Sequence, residues 1–109
     1  MKRCWLFAAV LLSMAFACSH GMEKPEVFLD EPQMIDVMTD TYLIEAMLGQ
    51  MKSEGKDIAQ FQAEYYSQMF EHFGINDSIF EHNMRYDTHH PEILARVMTA
   101  VTHRFAKAQ

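Results

Sequence analysis

Six histidines, 15 carboxylates and two cysteines are the groups in this 109-residue chain with the capacity for chemistry, and their spacing decides which chemistry is open to them. His82 and His89 stand seven apart, so a continuous helix would place them on one side, with Asp87 and His90 adjacent. The spacing matches neither H-x-x-x-H nor H-E-x-x-H, and no second cluster supplies further ligands, so no metal site is assigned and solvated or capping histidines are expected. Haem attachment would need C-x-x-C-H, which the chain lacks. Asp36 and Asp40, one turn apart, imitate the carboxylate pair of a glycoside hydrolase, but a domain this small has little cleft to exclude water, and a solvated face is the expectation. Glycine-rich phosphate loops, G-x-S-x-G elbows and a nucleophilic cysteine are also missing, so neither a catalytic residue nor a cofactor is assigned.

The cysteines speak to address instead. Lys2 and Arg3 precede a twelve-residue apolar run, Trp5 to Phe16, broken only by Ser13. A helix of that length covers about 20 Å, short of a hydrocarbon core of ~30 Å, and reads as a cleaved signal peptide over residues 1–17. Ala15-Phe16-Ala17 presents small residues at both positions a signal peptidase inspects, which puts the cut between Ala17 and Cys18. Ala15-Phe16-Ala17-Cys18 resembles the lipobox of bacterial lipoproteins, with Ala15 and Phe16 departing from its usual Leu and small residue. Cys4 leaves with the signal and Cys18 is then a lone exported thiol, which acylation explains; an ordinary cut before an incidental cysteine is the alternative. By resemblance to sorting rules, Ser19 rather than Asp after the cysteine implies the outer membrane, with the domain facing the periplasm.

Without residues 1–17 the chain keeps 92 residues, with seven Lys and Arg against all 15 acids, a net charge of −8. Nucleic-acid binding requires clustered basic side chains and is excluded as a function class. An acidic body does not seek anionic lipid either, so its contact with a membrane would be the acyl chains.

The elements that would position any site are helical throughout. A tether over residues 18–27 leads to a domain over 28–109. Asp30-Glu31-Pro32-Gln33 holds a cap, a first-turn proline and capping-box spacing, and starts a helix running to roughly Met51. After Ser53-Glu54-Gly55-Lys56, Asp57 and Gln60 offer a second cap for a helix to about Phe73, which Gly74 terminates. Asn76 caps a third helix to about Asp87. His90-Pro91-Glu92 forces a break and opens a fourth helix to about Lys107. The fold class is all-α, a small bundle of about four helices.

Apolar spacing marks the core. On the second helix Ile58, Phe61, Tyr65, Tyr66, Met69, Phe70 and Phe73 recur three and four apart, as do Ile93, Leu94, Val97, Met98, Val101 and Phe105 on the fourth. In the first helix Met34, Ile35, Met38 and Tyr42 share an arc, and Glu45 falls inside it. A buried carboxylate there needs a structural partner: Arg85, Arg96, Arg104 or a tyrosine hydroxyl. Leu43, Ile44, Met47 and Met51 lie on the opposite side, so this helix is either central to the bundle or meets a partner through that face.

Leu29-Asp30-Glu31-Pro32-Gln33-Met34-Ile35, Asp40-Thr41-Tyr42-Leu43-Ile44-Glu45-Ala46, Tyr65-Tyr66 with Met69-Phe70, Phe73-Gly74-Ile75 and Phe80, and Tyr86 with His90-Pro91-Glu92 together resemble a family of small Gram-negative envelope lipoproteins, domain of unknown function 4296. The resemblance covers roughly residues 25–105; Tyr42 stands where that family usually has His. It implies a helical lipoprotein and supplies no catalytic residues. The expectation is a lipid-anchored, non-catalytic interaction or assembly module, whose partner is an unknown envelope protein or a second copy, with no small-molecule substrate. A metal-binding or small hydrolytic envelope protein is the rival reading.

Overall fold

Local chemistry sets the helix boundaries. The computed structural model describes residues 23–108, so the signal segment, Ala17, Cys18 and the first part of the tether lie outside the described residues. Helices α1 (Glu31–Ser53), α2 (Ala59–Phe73), α3 (Asp77–Thr88) and α4 (Pro91–Ala108) make an all-α bundle, with no strand among the described residues. The expected capping box opens α1: the Asp30 carboxylate accepts from the Gln33 amide at 2.9 Å, and the Gln33 side chain accepts from the Asp30 amide at 3.0 Å. Asn76 caps α3 by accepting from the Ile79 amide at 2.8 Å. At the second cap the outcome differs from expectation. Asp57 accepts from the Ala59 amide at 3.1 Å, and the capping position is Ile58, whose side chain cannot accept a bond. Gly74 ends α2 with φ 66°, a left-handed conformation that costs a glycine little, and the Ile75 amide then reaches back to the Phe70 carbonyl at 2.9 Å.

Contacts between elements give the topology. Thr41 Oγ1 lies 3.6 Å from Met69 Sδ, and Tyr66 donates to Glu45, so α1 and α2 run antiparallel. Glu31 pairs with Arg96, Asp36 with Arg104 at 2.7 Å, and Tyr42 meets Phe105 edge-on, so α1 and α4 run parallel. Helix α3 folds back on α4 through the short His89–His90 turn. The first helix is thus the central one, packed against α4 along one side and α2 along another.

Each side carries its own apolar cluster. Leu29, Met34, Met38, Val97 and Val101 are buried together, and Val37, Ile44, Leu48 and Met69 form the second group. Burying such side chains stabilises the fold by about 1.5–3 kcal/mol apiece relative to solvent exposure. Partly buried Ile75 and Phe80 pack against both clusters.

Three expectations about burial are corrected. Ile44, read as part of an outward face, is 9% exposed because its side of α1 is the one covered by α2. Glu45, read as buried, is exposed: its carboxylate meets the Tyr66 hydroxyl of α2 at the surface of the bundle. Phe61, read as core, is 37% exposed, since only one side of α2 has α1 to pack on.

Candidate functional site

The structure turns the chain's polar groups to local duties. His89 Nδ1 lies 2.8 Å from the Arg85 carbonyl and His90 Nδ1 lies 2.7 Å from the Tyr86 carbonyl, so both rings cap the end of α3. Exposed His82 is left apart, and among the described residues no group of three potential ligands comes together. Asp36 is exposed and pairs with Arg104, while Asp40, one turn on, has no comparable partner among the described residues, so the two carboxylates do not share one. Glu31 is held below the usual carboxylate range mainly by its hydrogen bonds to Arg96, and Arg96 is raised by the same pair.

Glu45 has the tyrosine partner that was among its expected options, although at the surface. The Tyr66 hydroxyl donates to Glu45 Oε1. Burial pushes the phenol up to about 12, and the adjacent carboxylate adds to the rise, because both disfavour a second negative charge at that point. The pair closes one flank of the α1/α2 hairpin.

The other flank is open and apolar. At about 100° per residue, Leu43 and Met47 project roughly 160° around α1 from Glu45, and Phe61 about 140° around α2 from Tyr66. They therefore emerge on the same side of the hairpin, away from the polar pair. Leu43 is 47% exposed and Met47 48%, with Met51 half-buried below them. Phe61 stacks at a tilt against Tyr65, their ring centroids 6.2 Å apart, which extends the apolar strip along α2. Of the residues proposed for an outward face, Leu43 and Met47 fulfil that geometry, Met51 does so in part, and Ile44 belongs to the core.

Sequence reasoning overlooked two buried polar side chains on α3. Asn83, 1% exposed, accepts from the Leu29 amide at 2.8 Å and donates to the carbonyls of Val27 and Ile79 at the same distance. It clamps the segment ahead of α1 onto α3. Asp87, 2% exposed, lies one turn further on. A signal for both was present: Ile79, Phe80, Asn83, Tyr86 and Asp87 follow a three-and-four spacing, so the two polar residues sit inside an apolar stripe.

No curated protein and no solved structure matches the chain. A family model does: the family described as Domain of unknown function (DUF4296) matches residues 25–109, which takes in the clamped segment and all four helices, and the chain belongs to that family.

Proposed function

We propose that this chain is a lipid-anchored, non-catalytic interaction module of the bacterial envelope, held at the outer membrane through Cys18 and facing the periplasm. The observation that carries the interaction reading is the exposed strip of Leu43, Met47 and Phe61 on one flank of the α1/α2 hairpin. Adjacent exposed apolar side chains are costly to leave in water and are a common mark of protein contact surfaces. Leu43 and Met47 lie one turn apart on a continuous helix, so a partner would meet a preformed surface and lose little ordering entropy on binding. Anchoring rests on Lys2-Arg3, the Trp5–Phe16 run and the cysteine after Ala17, and would concentrate the domain at a membrane for a partner confined there.

Two experiments separate the parts of this reading. In-cell cross-linking should capture a partner or a second copy with the native chain and lose it in Leu43→Asp and Met47→Asp; unchanged cross-links and oligomeric state would remove the hairpin flank as the contact surface. Cys18→Ala should shift the protein from the membrane to the soluble fraction, and unchanged fractionation would end the anchoring proposal.

A further inference from the structure

The segment ahead of α1, the start of α1, the end of α3 and the start of α4 enclose a cavity of about 260 Å³. It lies at the opposite end of α1 from the Leu43–Met47 flank. Its wall includes Asp87, whose Oδ2 is shielded from solvent and has no hydrogen-bond partner among the described residues. A buried polar atom in that state lacks the donor it would have had in water, and such groups are rare in folded proteins. The carboxylate is acceptor-only when ionised, so what is missing is a donor, and a cationic donor would offset both its charge and its desolvation.

The rest of the wall suits a cation. Phe28 and Tyr86 meet edge-to-face with ring centroids 5.3 Å apart, and both line the cavity. An ammonium already rests on this aromatic surface: Lys24 Nζ is 4.8 Å from the Phe28 ring centroid. That is a cation–π contact. Asp30 and Glu31 add negative charge from α1; Asp30 is engaged in capping and Glu31 is bound to Arg96 of α4. His90, stacked on Tyr86 at 4.1 Å between centroids, is the remaining titratable group beside Asp87.

We propose that this cavity binds a primary alkylammonium group, with Asp87 as its acceptor and Phe28 as its aromatic wall. A lysine side chain of an incoming polypeptide has that chemistry and fits the volume, its stem lying along Met34 and Ile93. Lys24, at the rim, is the chain's own source of the same group and competes for the same surface. Burial holds the Asp87 carboxyl above the usual range, so the ionised acceptor that an ammonium needs becomes more abundant as pH climbs through that raised value, and binding tightens over the same interval.

The probe is n-butylammonium, titrated into the purified protein while backbone amide shifts are followed by NMR, with n-butanol as the uncharged control. Saturable shifts at Phe28, Asp87 and Ile93 are expected with the amine and not with the alcohol. Asp87→Asn should weaken binding about tenfold, the scale of one lost charge-assisted bond. Phe28→Leu, at a position 37% exposed, should weaken it several-fold. Lys24→Met should tighten it by removing the internal competitor. The proposal falls if no saturable shift occurs, if butanol matches the amine, if Asp87→Asn binds as well as the native protein, or if Lys24→Met binds less tightly.

Discussion

Replacing Asn83 by Leu keeps the volume of the side chain nearly constant and removes three hydrogen bonds at once. The Ile79 carbonyl belongs to α3 and faces the smallest loss. The Leu29 amide is left in a buried setting and the Val27 carbonyl in a partly buried one. An unsatisfied buried group costs about 1–3 kcal/mol, so ~2 for the amide and ~1 for the wetter carbonyl puts the loss near 3 kcal/mol. The chain can limit that loss by letting residues 27–29 peel away, but then Leu29, 7% exposed, leaves its cluster and forfeits a comparable amount. For a domain of this size 1 kcal/mol corresponds to about 4–8 °C, so the melting temperature should fall by roughly 12–24 °C when followed by circular dichroism at 222 nm. Hydrogen exchange at the Leu29 amide should accelerate more than exchange in the middle of α1. A melting temperature within about 3 °C of the native value, with the Leu29 amide equally protected, would refute the clamp. Asn83→Asp serves as a control, because it retains an acceptor for Leu29 but sets a carboxylate against the Val27 and Ile79 carbonyls; acid should recover part of its loss by protonating it.

Other outcomes follow from the same geometry. Leu48→Ala should cost about 2–4 kcal/mol in urea unfolding because Leu48 is 2% exposed between α1 and α2, whereas Leu43→Ala, 47% exposed, should stay within about 0.5 kcal/mol. Glu45→Gln should lower the Tyr66 titration followed at 295 nm from about 12 but leave it above 10, because burial is the larger cause of the rise. Asp87 is raised mainly by burial, with His90 acting against it. A carboxyl raised in the folded state contributes stability fully below its ordinary value of 3.8 and loses that contribution as pH climbs through the raised value. Thermal melts should therefore find Asp87→Asn more stable than the native protein at pH 7 and level with it near pH 3.5.

Where the determinants are local, the fold is readable from residues alone. Asp30 with Gln33, Asn76, Gly74 and Pro91 each fix a helix end through bonds or torsions within a few residues, and the four helices begin and end within about two residues of where those signals put them. The wheel of α1 likewise groups Met34 with Met38 as a buried pair. It does not show that Glu45, on the arc of Met34 and Met38, reaches the surface, where the Tyr66 hydroxyl of α2 meets it. Nor can it say which of two apolar sides is already taken: Ile44 and Leu43 are adjacent in sequence, yet α2 covers one and leaves the other out. Asn83 and Asp87 escaped notice for a different reason. Their importance comes from residues 27–31, more than fifty positions away, and that proximity depends on the whole bundle.

Ile75 and Phe80 belong to two packing groups that otherwise share only α1 as their common wall. Stability in such a molecule need not be one quantity. Were those two side chains small, the α1/α2 hairpin and the α1/α3/α4 unit could open on separate schedules, each with its own threshold. With Ile75 just after the glycine stop of α2 and Phe80 in the first turn of α3, the shortest connection between the halves also ties them energetically. Cooperativity in this bundle therefore resides in a few residues around a turn, so a change there would alter how sharply the protein unfolds before it altered how the protein looks.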